Sequence, residues 1–255
     1  MKEHKFVFIC GLHRSGTSIF FRVLREHPDI SGFKNTGVPA DEGQHLQSVY
    51  PPAWVFGGPG KFGFNTQAHL TEDSSLVTQD NKAKLMREWT RYWDMSKPVL
   101  IEKSPPDIIR SRFLQTMFDN AYFICLKRHP VAVSYATRKR RFHNLIFKNR
   151  LDHWLHCQDI FNRDKSGLQR LLILKYEDFI NNTNGCLKQV CSFLDIEEAP
   201  STIKVYSNTN DKYFSEWQKF RDTPVLGLYA QYLINNYEER VNRHGYSLKD
   251  PDYHK

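Results

Sequence analysis

Short apolar runs alternate with longer amphipathic segments along most of the chain. The runs are rich in β-branched and aromatic residues and show no in–out alternation; they cover 6–10 (FVFIC), 98–102 (PVLIE), 121–126 (AYFICL) and 171–176 (LLILKY). Each is followed by a segment with helical character, at 17–26, 108–118, 131–139 and 177–194. Apolar strands that are spaced by helices are typical of a parallel sheet with both faces covered. The pattern predicts a doubly wound α/β fold with a mostly parallel sheet.

The alternation is interrupted between residues 33 and 78, where glycine and proline are dense, as in YPPAWVFGGPGKFGF at 50–64. This predicts a long irregular insertion over one end of the sheet, and long irregular segments are usually functional. Further helices are expected at 81–93, with Leu85, Trp89 and Trp93 as core residues, and at 225–243. A chain of 255 residues suits one domain, which we place at 1–255.

The amino-acid composition limits which classes of molecule are expected to bind the protein. The formal net charge of +8 favours an anionic partner such as a nucleotide, a nucleic acid, a phosphorylated or sulfated ligand or a lipid surface. The five cysteines are scattered and form no CxxC pair, so neither a disulfide scaffold nor a zinc site is indicated. Only five apolar residues follow the N-terminal MKEHK, and no later run could span a bilayer. We therefore expect a cytoplasmic protein without a membrane partner.

The stretch GLHRSGTS, residues 11–18, directly follows the first apolar run. Its glycines have the spacing of a phosphate-binding P-loop, but Thr17 stands where a nucleoside triphosphatase has lysine. Between a strand and a helix, the N–H groups of residues 15–18 would form an anion site at the helix N-terminus. Arg14 is the only permanent cation in the loop, and no apolar run ends in a second magnesium-binding carboxylate. The loop therefore suits a less charged group bound without metal, such as a sulfuryl ester on a nucleotide 5′-phosphate.

A second pair of polar residues follows the run at 121–126. Arg128 ends this predicted strand, and Ser134 lies about one turn into the next predicted helix. A guanidinium and a hydroxyl in these positions can bind one terminal phosphate from two sides. Taken alone, the pair would be better interpreted as an exposed charge and a serine on a helix surface.

Together the two motifs resemble those of sulfotransferases that use 3′-phosphoadenosine-5′-phosphosulfate (PAPS), in particular tyrosylprotein sulfotransferases and related bacterial enzymes. The resemblance covers residues 6 to about 194. It implies that Arg14, Ser15, Gly16, Thr17 and Ser18 bind the 5′-phosphosulfate and that Arg128 and Ser134 bind the 3′-phosphate. It extends to Arg138 in the helix after Arg128 and to Tyr176 in the segment YEDF. It also implies a nucleotide lid at 208–213, which includes Lys212.

Sulfuryl transfer needs cations near the leaving oxygen and a base for the acceptor proton. Arg14 can supply one cation. By resemblance to the tyrosylprotein sulfotransferases, Lys103 in IEKSPP supplies another. The base is not fixed, because the segment SGFKNTGVPADEGQHLQ departs from the G-E-E-T-R pattern of those relatives. Glu42 is the first candidate, His45 the second because its ordinary pKa suits general-base work, and Asp41 the third.

The acceptor is left open by the sequence. A small molecule or natural product with a hydroxyl or amine is expected, whereas sulfation of a protein tyrosine or a carbohydrate is an alternative. The aromatic residues Trp54, Phe56, Phe62 and Phe64 could line its pocket or form a hydrophobic plug. A P-loop kinase or NTPase is disfavoured by Thr17. A nucleic-acid-binding module would leave the Arg128 and Ser134 pair unexplained, and the basic run at 138–141 is expected to be an exposed face.

Overall fold

The computed structural model of the protein describes residues 4–138 and 147–251, with the side chain of Arg138 outside the described part. Five parallel strands form one sheet in the order β2-β3-β1-β4-β5. They are β1 (Lys5–Cys10), β2 (Ile30–Gly32), β3 (Val99–Lys103), β4 (Ala121–Lys127) and β5 (Leu171–Lys175). β1 lies at the centre, where Ile9 pairs with Lys103 of β3 and Cys10 pairs with Cys125 of β4. The prediction of a parallel sheet is confirmed.

Helices pack on both faces of this sheet. They are α1 (Thr17–Leu24), α2 (Gln79–Trp89), α3 (Ser111–Met117), α4 (Pro130–Arg138), α5 (Phe147–Asp164), α6 (Tyr176–Asn181), α7 (Thr183–Leu194), α8 (Asp211–Asp222) and α9 (Pro224–Asn242). Right-handed crossovers put α1 on the face opposite to α2 and α3, because the strand order reverses after β2. The ring of Phe8 in β1 lies 6.2 Å from that of Trp89 in α2, between centroids, and the ring of Phe20 in α1 lies 5.1 Å from that of Phe179 in α6. The doubly wound α/β prediction is confirmed.

Several element boundaries differ from the sequence-based prediction. The helix expected at 177–194 is two helices, because Asn182 leaves helical geometry (φ −141°, ψ 69°) and its side chain caps Gly185 N of α7. The segment expected to be helical from 108 begins as a 3₁₀ turn, Pro105–Ile109, before α3. α2 ends four residues before the predicted end, although Trp93 is buried as expected. The pattern did not indicate β2, α5 or α8.

The insertion at 33–78 is a series of 3₁₀ turns connected by irregular backbone. The turns are Pro39–Asp41, Gly43–His45, Ala53–Phe56, Phe62–Phe64 and Thr66–Ala68. Hydrogen bonds fasten the insertion to residues that follow β3: Arg110 donates to Ala68 O and Pro51 O, and Leu70 N donates to Ile109 O. The insertion therefore lies at the carboxyl end of the central strands. Among the described helices, none combines the length and apolar character that a membrane span requires.

Candidate active site

The loop between β1 and α1 is shaped by Gly16, which has φ +90°. A Cβ atom at this position would lie 2.2 Å from two ring carbons of Tyr176, so only glycine permits the observed packing. α1 begins at Thr17, and no side chain of the described residues caps it. Its first N–H groups therefore remain available to an anion, as the sequence predicts for a phosphate-binding loop.

Arg128 connects this loop to the end of β4. Its Nη1 donates to the carbonyl of Arg14 at 2.7 Å, and its Nε and Nη2 donate to Oδ1 of Asn210 at 2.9 and 2.6 Å. The guanidinium also lies 4.2 Å from the ring centroid of Tyr176. The three hydrogen bonds use three of the five guanidinium N–H groups, so two remain for a ligand. The structure thus brings Arg128 and Tyr176 to the loop, as expected.

Ser134 of α4 is fully buried, and its hydroxyl has no hydrogen-bond partner within the described part of the chain. Buried hydroxyl groups normally have partners, because an unpaired one is destabilising. This orphaned group is therefore consistent with a polar ligand that the hydroxyl would contact. Arg138, expected to bind the nucleotide from the same helix, has its side chain outside the described residues, as does the rest of the basic run at 138–141.

Behind Arg128, a buried carboxylate that sequence reasoning missed organises the neighbouring side chains. Oε1 of Glu177 accepts from Asn210 Nδ2 at 2.9 Å and from the His129 N–H at 3.1 Å, while Oε2 accepts from the Tyr246 hydroxyl at 3.2 Å. Burial lowers the pKa of Arg128, and Tyr176 and Glu177 oppose this shift. Asn210 lies inside the predicted lid at 208–213 and fixes Arg128. Lys212 is on the exposed side of α8, with its ammonium 5.1 Å from the Tyr213 ring.

The candidates for the base and the second cation meet at the end of β3. Lys103 is fully buried, and its Nζ donates to Oε1 of Glu42 at 2.9 Å. The other oxygen of Glu42 accepts from Gln44 Nε2 at 2.6 Å and lies 3.8 Å from Nε2 of His45. Burial lowers the pKa of His45, which favours its neutral form. Lys103, Glu42 and His45, which were predicted separately from the sequence, therefore lie together at the end of β3.

Asp41, the third candidate base, is directed elsewhere. Its carboxylate accepts from the N–H and the hydroxyl of Thr36 and lies 3.7 Å from Arg25. Burial on its own would raise the pKa of Asp41, but the bonds from Thr36 and the charge of Arg25 more than offset this, and the pKa is lowered. Asp41 is thus already paired at a distance from Lys103 and is a weak base.

A cavity of about 100 Å³ lies between the loop and the insertion. It is lined by His13, Arg14, Thr17, Ser18, Ala40, Glu42, Pro59, Pro105 and Thr137. Removal of His13 from water lowers its pKa to about 4, so the imidazole is neutral at neutral pH. His13 lies inside the predicted loop, but no spacing or pattern in the sequence distinguished it. The cavity shows that the loop and Glu42 face the same space.

The sequence matches the model of the sulfotransferase family over residues 7–200. The chain belongs to this family. A search of curated proteins found no match. Among solved structures, the sulfotransferase domain from the curacin biosynthetic pathway is 16% identical, with a TM-score of 0.52 over 86% of this chain and 92% of that one. The sulfotransferase domain of the Synechococcus olefin synthase is 20% identical, with a TM-score of 0.51 over 84% and 89%.

A sulfotransferase from Mycobacterium tuberculosis is 13% identical and has a TM-score of 0.52, over 84% of this chain and 71% of that one. At such low identity these likenesses show the fold, while the family match shows the class of enzyme. The chain is therefore a sulfotransferase-family transferase, in agreement with the motifs at 11–18 and 128–134.

A larger cavity of about 680 Å³ lies beside the insertion of this sulfotransferase. Its lining is mixed, with Phe56, Gly60, Lys61, Phe64, Asn65, Thr66, Asn149 and Asp152. The four aromatic residues considered for the acceptor pocket thus separate. Phe56 and Phe64 line this cavity, Phe62 is fully buried against His13 and His153, and Trp54 is 68% exposed. Across the described residues, no three His, Cys, Asp or Glu side chains are grouped as metal ligands would be.

Proposed function

We propose that this sulfotransferase transfers a sulfuryl group from PAPS to a hydroxyl or amine of a small-molecule acceptor. The observation that carries the proposal is the Lys103–Glu42 ion pair at the end of β3, in which Glu42 lines the same cavity as the phosphate-binding loop and Lys103 is buried behind it. A cation and a carboxylate placed together at a phosphate site supply the two functions that sulfuryl transfer needs.

The donor would be held at two places. The N–H groups of Gly16, Thr17 and Ser18, with Arg14 and the Ser15 hydroxyl, would bind the 5′-phosphosulfate at the start of α1, whereas the Ser15 N–H donates to Leu12 O. The two uncommitted N–H groups of Arg128 and the orphaned hydroxyl of Ser134 would bind the 3′-phosphate. Arg138, Tyr176 and Lys212 are proposed as further contacts, Tyr176 through its packing on Gly16 and Arg128. These donors fit a group with phosphates at both the 3′ and the 5′ position.

The bound donor supplies a sulfuryl group on a phosphate leaving group. Lys103 and Arg14 would stabilise the negative charge that develops on the bridging oxygen. Glu42 would accept the acceptor proton, and His45, 3.8 Å away, is the second candidate for this task. Lys103 donates to Glu42 in the structure described here, so a shift of its ammonium to the bridging oxygen would free one carboxylate oxygen for the proton.

The acceptor site is proposed from the larger cavity. The cavity beside Phe56 and Phe64 would hold the acceptor; it is also lined by Gly60 and Lys61, which follow Pro59 of the smaller cavity in the sequence. Its volume suits a small molecule, whereas sulfation of a protein tyrosine or a carbohydrate stays an alternative. Cytoplasmic location stays a prediction from the sequence.

Calorimetric titration with adenosine 3′,5′-bisphosphate in the absence of metal, beside ATP with Mg²⁺, tests the donor. We expect tight binding of the bisphosphate and weak binding of ATP. A preference for Mg-ATP would contradict the proposed donor and favour a P-loop kinase or NTPase. Release of the bisphosphate from PAPS with 4-nitrophenol as a model acceptor tests transfer itself.

A further inference from the structure

The candidate base Glu42 stands on irregular backbone. The two residues before it, Ala40 and Asp41, have left-handed φ angles of 56° and 50°, which side-chain-bearing residues rarely adopt. Such conformations persist only where surrounding contacts enforce them. A catalytic group must also be held within about 0.5 Å of its working position. The contacts that hold residues 42–44 are therefore part of the machinery.

Glu102 and Ser104, which flank Lys103 in sequence, provide these contacts. Oε1 of Glu102 accepts from the Gly43 N–H at 2.9 Å and from the Ser104 hydroxyl at 2.5 Å. The Ser104 oxygen in turn accepts from the Gln44 N–H at 2.9 Å. Both side chains are fully buried. The end of β3 therefore holds Glu42 and the two residues that follow it. Lys103 binds the Glu42 carboxylate, and Glu102 and Ser104 accept hydrogen bonds from the N–H groups of Gly43 and Gln44.

Gly43 is fitted to this arrangement. A Cβ atom there would lie 2.5 Å from Cγ and Oε1 of Glu102, so any larger residue would push the carboxylate away. The carbonyl of Gly43 accepts from Trp89 Nε1 at 3.1 Å, and Gln44 Nε2 bonds to Glu42 Oε2. The backbone after Glu42 is thus fixed on both its N–H and its carbonyl side.

Asp107, a second fully buried carboxyl group, lies close to Glu102. Burial raises the pKa of both carboxyl groups, and the negative charge of Glu102 raises that of Asp107 further. Asp107 therefore favours its protonated form, which leaves Glu102 as the acceptor for the Gly43 N–H and the Ser104 hydroxyl.

We propose that Glu102, together with Ser104, is a positioning residue that sets the location of Glu42 for proton abstraction. The proposal rests on the proposed function, since it assigns Glu102 a role through the candidate base. Glu102 acts through the Gly43 N–H and does not contact the reacting atoms.

Two variants of Glu102 separate positioning from simple packing. Glu102→Leu removes the acceptor at similar volume, whereas Glu102→Gln keeps Oε1 for Gly43 and can donate its amide to Asp107. The assay measures release of adenosine 3′,5′-bisphosphate from PAPS, with water alone and with 4-nitrophenol, and calorimetry gives the Kd of the bisphosphate. We expect kcat of Glu102→Leu to fall about 10- to 100-fold, since a misplacement near 1 Å costs about that much. The Kd should stay within about twofold, and Glu102→Gln should recover most of the rate.

A double-mutant cycle with Glu42→Gln decides whether Glu102 acts through the base. If it does, adding Glu102→Leu to Glu42→Gln will cause no further loss of rate. An equal loss in both backgrounds, or a parallel rise in Kd, would overturn the proposal and make Glu102 a residue of general stability. If Glu102→Leu does not fold, Ser104→Ala replaces it in the same cycle, with an expected loss of about 3- to 10-fold.

The same assay distinguishes failure of this proposal from failure of the proposed function. If Glu42→Gln is slow but Glu102→Leu matches the wild type, only the positioning role is wrong. If Glu42→Gln matches the wild type, the base assignment is wrong, and the positioning role falls with it. If the wild type neither binds the bisphosphate nor releases it from PAPS under either condition, PAPS is refuted as the donor.

Discussion

Substitution of Ser134 by alanine should change stability and ligand affinity in opposite senses. The hydroxyl is fully buried and has no partner in the described part of the chain, so it is destabilising in the free protein. Burial of an unpaired hydroxyl costs about 1–3 kcal/mol. Alanine removes the polar atom and leaves a void of only one oxygen, so we expect a net gain of about 1 kcal/mol. For a chain of this size, that is an increase in Tm of about 2–4 °C.

Binding should respond in the other direction, because the same hydroxyl would donate to the 3′-phosphate. A hydrogen bond to a charged group contributes about 1.5–3 kcal/mol. Its loss should weaken binding of adenosine 3′,5′-bisphosphate by about 10- to 100-fold. Adenosine 5′-phosphate lacks the 3′-phosphate and should bind Ser134→Ala as it binds the wild type. Denaturant unfolding of the free protein and calorimetry with both nucleotides measure the two effects.

Ser111 offers a matched control. It is also fully buried, and its hydroxyl likewise lacks a partner among the described residues, but it lies at the start of α3 rather than in the helix that follows Arg128. Ser111→Ala should gain similar stability and bind both nucleotides unchanged. The reasoning is refuted if Ser134→Ala is less stable than the wild type, or if its affinity for the two nucleotides falls equally.

Three further changes test other parts of the site. Glu42→Gln should lower turnover by about 10²- to 10⁴-fold with little change in the Kd of the bisphosphate, as rates and calorimetry will show; normal turnover would move the base to His45. Gly16→Ala should lose more stability and bisphosphate affinity than Gly37→Ala, because both have positive φ but only Gly16 abuts the Tyr176 ring; equal losses would contradict this. Burial lowers the pKa of His153 from 6.5 to about 3. Between these pH values the imidazole is protonated in the unfolded chain and neutral in the folded protein, so stability is lost as the pH falls. His153 should therefore contribute up to about 1.4 kcal/mol per pH unit to the fall of the unfolding free energy in this window, and His153→Gln should remove this contribution while that of His13 remains.

The part of the site built on strand ends could be predicted from the sequence. Parallel strands bring their carboxyl ends to one edge, so residues that follow apolar runs converge there. This rule places the loop after β1, Lys103 after β3 and Arg128 after β4 in one region, and the structure agrees. The resemblance of the motifs to a known family then assigned roles to residues that the sheet had already placed close together.

Elements without a strong repeat were missed for physical reasons. β2 has only three residues, too few for any period to show. α8 has polar residues on most positions, and its start is set by contacts of Asn210 with Arg128, 82 residues earlier in the chain. The break between α6 and α7 depends on a side-chain cap by Asn182, whereas the apolar pattern runs through it. In each case tertiary or capping contacts decide the local structure.

The partner of Lys103 shows how burial decides what spacing could not. Asp41, Glu42 and His45 lie within five residues on irregular backbone, and nothing in their order says which one reaches Lys103. The structure buries the Lys103 ammonium completely, and a buried charge needs a charged partner. Asp41 is paired with Arg25 and Thr36, and burial favours the neutral form of His45. Glu42 is then the partner that Lys103 requires, so the demand for charge balance at the end of β3 selects the carboxylate that shares a cavity with the loop between β1 and α1.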